Sequence, residues 1–197
     1  RGIAENTLLV FASDNGPENS AYERIRQHDH YSMGDLRGIK RDAWEGGHRV
    51  PFMARWPGVI TPGSTCEHLT TLGDLLATAA DVAQAVVPAE AGPDSVSILP
   101  LLHGDGPVRS CAVHHSMKGT FALRRGDWVL IDAPSGDDNT EPDWFKAERG
   151  YEPHDDPGEL YDLRDDLSQR HNRYTERPDV VRDMRQQLKR VKAGCDQ

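Results

Sequence analysis

The sequence predicts an α/β part at residues 1–105 followed by a small α+β part at 106–197. Three observations predict it. Thr7 to Ala12 is an apolar run without polar alternation, the pattern of a strand buried on both faces of a parallel sheet. Thr70 to Val86 carries apolar residues at helical spacing. Past Ser110 the texture changes to short strands and one closing amphipathic helix.

Taken in order, the first strand runs straight into Ser13, Asp14, Asn15 and Gly16. Residues 16–47 are polar and Gly-rich with no sustained period, so they read as a long loop. Arg49 to Ile60 reads as a second strand closed by the Pro57-Gly58 turn. In Thr70 to Val86 the apolar positions Leu72, Leu75, Leu76, Ala79, Val82, Ala83 and Val86 predict a helix. "SILPLL" is a short apolar patch inside a Pro/Gly-rich connection. "CAVHHS", "TFALRRGDWVLID" and "GELYDLRDD" predict strands of an antiparallel sheet, with Gly126-Asp127 as a turn. Ser135 to Glu159 is an acidic insertion with little apolar content. Pro178 to Ala193 predicts a final helix with Val180, Val181, Met184, Leu188 and Val191 on its inner face and Gly194 as its stop.

Bulk properties narrow the partners. A net charge of −9 argues against nucleic acid, which calls for a basic patch. No apolar run approaches the roughly 20 residues of a membrane helix. The three cysteines, Cys66, Cys111 and Cys195, form no CxxC, so neither a disulfide framework nor a zinc site is indicated. The chain opens on "RGIAENT", without an initiator Met, and is expected to be a processed product or a piece of something longer.

Ligands of open α/β sheets gather outside the carboxyl ends of strands, where Asp14 and Asn15 stand. A carboxylate beside an amide oxygen suits a hard cation such as Ca²⁺. The same residues also favour a plain turn. Two further stretches bear on the choice. "LRGIKRDAWEGGHRVPFMARWPG", Leu36 to Gly58, places Lys40 on a Gly-containing loop ahead of Glu45-Gly46-Gly47 and a strand. "GELYDLRDDLSQRHN", Gly158 to Asn172, follows late in the chain. With "FASDNGP", and in this order, these motifs resemble the type I sulfatases, the formylglycine-dependent arylsulfatase family of the alkaline-phosphatase-like superfamily.

The resemblance implies an alkaline-phosphatase-like sheet fragment and a sulfuric ester hydrolase. It implies Ca²⁺ held in part by Asp14 and Asn15, and Lys40 in contact with the sulfate group. His28, His30, Arg37 and His48 are weaker substrate-binding candidates near the same loop. The family's nucleophile lies in Cys-x-Pro-Ser-Arg, converted to formylglycine, and none of the three cysteines has that context. The expected identity is therefore the C-terminal portion of a sulfatase, inactive alone, with formylglycine in a missing N-terminal half. Its expected partners are that half, further copies of itself, and a sulfated carbohydrate or an aryl or alkyl sulfate. Relatives imply a periplasmic or secreted location. Two other readings stand beside it: a phosphatase or phosphodiesterase of the same superfamily, and a non-catalytic carbohydrate-binding or interaction module. Glu45 and Arg49 are expected to pair structurally, His114 and His115 to be structural, Leu160 and Leu163 to pack, and Tyr161 to hold the domain interface.

Overall fold

A computed structural model describes residues 2–88 and 90–194; Cys195 lies outside them. The strands are β1 (Leu9–Ala12), β2 (Phe52–Arg55), β3 (Cys111–His115), β4 (Phe121–Arg125), β5 (Trp128–Ile131) and β6 (Glu159–Asp162). The α-helices are α1 (Ser20–His28), α2 (Glu45–His48), α3 (Asp74–Ala83), α4 (Leu99–His103), α5 (Asp143–Arg149) and α6 (Pro178–Lys192). Two compact units interleave along the chain, one of residues 2–13 and 51–112, the other of 14–50 and 113–194.

The first unit contains β1 and β2. They pair antiparallel, with Leu9 opposite Arg55 and Ala12 opposite Phe52. This corrects the expectation of a parallel strand buried on both faces. β1 is apolar throughout, yet Leu9 is 59% and Phe11 62% exposed. An apolar run shows that both faces want cover, but carries no sign of strand direction. Helix α3 forms within the predicted segment. Its best-buried residues are Asp74 and Thr78, while Leu76 and Val82 are exposed. The Asp74 carboxylate accepts from the Thr71 and Val96 amides and pairs with Arg109, which explains a fully buried acid. The "SILPLL" patch supplies α4.

The second unit holds β4, β5, β6 and the last three residues of β3, in a sheet of order β3-β4-β5-β6. β4 and β5 are an antiparallel hairpin around Gly126-Asp127, as predicted, with Leu123 opposite Leu130. β5 pairs antiparallel with β6, Val129 opposite Tyr161. Helix α6 buries Val180, Val181, Met184 and Leu188, and packs on β4 and β5. Gly194 sits at φ +73° just past its end, the left-handed conformation glycine adopts freely.

Besides the short α2 and α4, two longer helices occupy stretches that showed no element in the sequence. Helix α1 lies in the expected loop and buries Ala21, Tyr22 and Ile25, one helical face. Helix α5 lies in the acidic insertion and buries Phe145. Those faces meet in one cluster with Met33, Ile39 and Tyr151. A second cluster joins Ala43, Trp44, Ala122, Val129, Ile131, Tyr161 and Leu163.

Candidate active-site loops

The predicted motif residues lie on loops of the second unit, and backbone hydrogen bonds lace those loops together. Asp14, Asn15 and Gly16 form a bend after β1, with Asp14 exposed and Asn15 half-buried. The Gly16 amide donates to the Gly47 carbonyl at 3.0 Å. The Lys40 amide donates to the Pro17 carbonyl at 2.9 Å. The Asp-Asn-Gly-Pro segment is thus tied to the Lys40 turn on one side and to the Glu45-Gly46-Gly47 turn on the other. Glycine is required at both contacts. A Cβ on Gly16 would overlap the Gly46 carbonyl oxygen, and a Cβ on Gly46 would overlap the Gly38 and Arg37 carbonyls.

Lys40 is one-third exposed, and its Nζ lies 2.8 Å from Glu18 Oε1. Arg41 grips the same carboxylate with two bonds, at 2.8 and 3.2 Å. Hydrogen bonds from Arg41 and Lys40 hold the Glu18 carboxyl down to about 2. An anion is therefore already seated between the two cations. Below the turn, Asp42 accepts from the Ile39 amide, the Asp138 amide and Asn139 Nδ2. Burial nevertheless pushes its carboxyl up to about 6. Asn139 Nδ2 also donates to the Lys40 carbonyl at 2.7 Å. Glu18, Arg41, Asp42 and Asn139 were not singled out from the sequence. The Lys40-Arg41 doublet facing a lone Glu18 is the signal that could have found the first pair.

Glu45 is buried and pairs with Arg49 at 3.2 Å and with Arg124 at 3.0 Å. The expected Glu45–Arg49 pair forms, with Arg49 half-exposed. His48 stacks on His114, ring centroids 3.6 Å apart. Burial lowers both imidazoles, His48 well below its ordinary value, so both are neutral near pH 7. His114 Nε2 lies 2.9 Å from the Ala43 carbonyl, a structural contact. His48 thus packs in the wall behind the Glu45 turn.

Arg37 departs from its expected substrate role. Its guanidinium is sandwiched between the Trp44 and Tyr151 rings, 3.8 and 4.1 Å from their centroids. It pairs with buried Glu141 at 3.0 Å and donates to Tyr161 Oη and the Gln169 carbonyl. All three of its nitrogens and both faces of its plane are engaged inside the protein, so Arg37 is a core cation. Tyr161 is buried between Leu160 and Leu163, and receives that bond. His28 closes α1 and His30 follows the helix; both are exposed. Among the described residues no group of three or more His, Cys, Asp and Glu could hold a metal.

A family model described as Sulfatase matches residues 1–85. The N-acetylgalactosamine-6-O-sulfatase of Bacteroides thetaiotaomicron is 36% identical over 96% of this chain and 37% of its own length. The chain belongs to the sulfatase family. Human arylsulfatase A is 35% identical over 87% of this sulfatase-family chain and 34% of its own length. A solved structure described under metabolism of multiple glycosaminoglycans by Bacteroides thetaiotaomicron superposes with a TM-score of 0.77. It is 34% identical and covers 97% of this chain, which in turn covers 40% of it. A Pseudoalteromonas sulfatase, 24% identical, shares the fold with a TM-score of 0.76 over 98% of this chain and 38% of its own. These neighbours are sulfatases of the alkaline-phosphatase-like fold. The chain spans little more than a third of the length of the relatives it matches.

Proposed function

We propose that this chain is the C-terminal part of a sulfuric ester hydrolase acting on sulfated carbohydrate. Residues 1–105 would complete its catalytic domain and 106–197 form its small C-terminal subdomain. The observation that carries the proposal is the lacing of Asp14-Asn15-Gly16 between the Lys40 turn and the Glu45 turn, in a chain of this family. The carbohydrate part rests on the relative named for N-acetylgalactosamine 6-sulfate.

Sulfate-ester hydrolysis builds negative charge on the bridging oxygen, and a fixed cation stabilises that charge where water is excluded. Lys40 fits the role as a compact point charge on a turn pinned from two sides. A sulfate at Lys40 would take the place now held by the Glu18 carboxylate, one anion exchanged for another. Asp14 and Asn15 bring two oxygen donors of the type Ca²⁺ prefers, short of the six to eight it takes. The cation would supply Lewis-acid stabilisation, and formylglycine, from outside this chain, the nucleophile. A periplasmic or secreted location belongs to the same proposal.

The test uses 4-nitrophenyl sulfate with Ca²⁺. The full-length protein, matured by a formylglycine-generating enzyme, is expected to turn it over, and the chain of 197 residues is not. Lys40→Ala should lower kcat about 10²–10³-fold. Glu18→Gln should lower KM for an anionic substrate by removing the resident competitor. An inactive full-length protein, or full activity in Lys40→Ala, would overturn the reading.

A further inference from the structure

Beside the Lys40 turn lies a cavity of about 350 Å³ that none of the steps above uses. Its size falls in the range of ligand pockets, roughly 300–1,000 Å³. Two residues of its lining stand next to the Lys40 turn. Asn139, on its wall, donates to the Lys40 carbonyl, and Asn19, also on its wall, directly follows Glu18, the ion-pair partner of Lys40.

One wall is aromatic and apolar: Trp144, Pro142 and Tyr22. Trp144 is held edge-on against Phe145 at 5.6 Å, and Tyr22 against the same ring at 5.1 Å, so the wall is rigid. The Tyr22 hydroxyl is buried with no hydrogen-bond partner, an unmet group aimed at nothing in the protein. The rest of the lining is polar. Asn19, Asn139 and Glu23 offer amide and carboxylate groups for hydroxyls. Arg26 leans over the Trp144 ring at 5.4 Å and, among the described residues, forms no ion pair. Thr140 completes the rim at φ +66°, a left-handed conformation that is costly for a β-branched residue. The Asp137 carboxylate enforces it by accepting the Asn139, Thr140 and Glu141 amides. Strain held in place this way clusters at ligand clamps.

A pyranose ring matches this lining. Its C–H face packs on an aromatic wall, and its rim of hydroxyls meets amides and carboxylates. The exposed Arg26 guanidinium offers a partner to one anionic substituent, since Arg binds carboxylate and sulfate in the same forked geometry. We propose that this cavity is a subsite for an acidic pyranose, a uronic acid or a second sulfated sugar, joined to the sugar whose sulfate sits at Lys40. The proposal rests on the sulfated-carbohydrate reading above.

The experiment compares kcat/KM of the full-length enzyme on four substrates. They are N-acetylgalactosamine 6-sulfate alone and the same sugar joined to a uronic acid, to a sulfated hexose, or to a neutral hexose. One acidic disaccharide is expected to exceed the neutral one by about tenfold, the size of one charge-assisted hydrogen bond. Which acid it is names the source of the charge. Arg26→Gln should erase that preference, and Trp144→Ala should lower the ratio of every disaccharide to the monosaccharide. Equal rates on acidic and neutral disaccharides, or an Arg26→Gln loss shared equally with the monosaccharide, would overturn it. A second readout separates the subsite from the activity. The indole NMR signal of Trp144, assigned with Trp144→Phe, should shift when the full-length protein is titrated with the acidic disaccharide lacking its ester sulfate. A shift without turnover of any substrate keeps the subsite and sinks the sulfatase reading. Turnover without a shift sinks the subsite.

Discussion

The two sheets of this chain meet the same demand in opposite ways. β4, β5 and β6 bury Ala122, Leu123, Val129, Leu130, Ile131 and Leu160 completely, under α6 and the loops that carry the motifs. β1 and β2 are as apolar, yet Leu9, Phe11 and Met53 each stand more than half exposed. A two-stranded ribbon has no interior of its own and is at best marginal in water. The difference teaches that one sheet finds its cover within this chain and the other does not. A large exposed apolar surface marks a contact still to be made. In the proposal above, that contact is with the rest of a sulfatase.

The comparison can be broken or sharpened by mutation. The largest effect is expected in the unit of the four-stranded sheet. Arg37→Ala strands the buried Glu141 carboxylate and should cost about 3–5 kcal/mol. Urea unfolding of the full-length protein measures it, and a cost under about 1 kcal/mol would mean that Arg37 is not the core cation described. Leu130→Ala, fully buried in β5, should cost about 2–5 kcal/mol. Phe11→Ser on the open ribbon should change the stability of the isolated chain by less than about 0.5 kcal/mol. It should also reduce self-association in sedimentation. A loss like that of Leu130→Ala would show that the ribbon is covered after all.

A smaller effect follows pH. His48 and His114 have folded-state values below the ordinary value of about 6.5. The unfolded chain therefore binds more protons, and their contribution is full above that value and lost as pH falls through and below it. Asp42, raised to about 6, works the other way: its contribution is present at low pH and lost as pH rises through 6. Between pH 7.5 and 5.5 the two effects oppose each other, and the melting temperature of His114→Gln is expected to drop less than that of the parent protein. An identical drop in that variant would remove the histidine pair as the cause.

Much of this was legible in the sequence. β4, β5, β6 and α6 declared themselves through short apolar and aromatic runs, a Gly-Asp turn and a clean helical face. Helices α1 and α5 did not, because their buried residues are few and sit among charges. Tyr22 and Ile25 in one, and Trp144 with Phe145 in the other, become a pattern only once they meet each other. Strand direction in β1 was illegible, since an apolar run reports burial demand alone. Among the site residues, the motif spacing marked the three loops that do come together. It could not tell a guanidinium facing a ligand from one facing a buried acid, which is why Arg37 was expected at the substrate and is found in the core.

The interlocked glycines have one more consequence. Gly16 fits because Gly46 leaves its carbonyl where a side chain would be, and Gly46 fits because the Arg37-Gly38 backbone runs against it. Three turns, at Gly16, at Arg37-Gly38 and at Gly46, thus share one tolerance for bulk. A methyl group added to any of them is a displacement of all three, so repair by a second change must come from another loop. Variation in this part of the chain is confined to coordinated steps, however freely the neighbouring side chains drift.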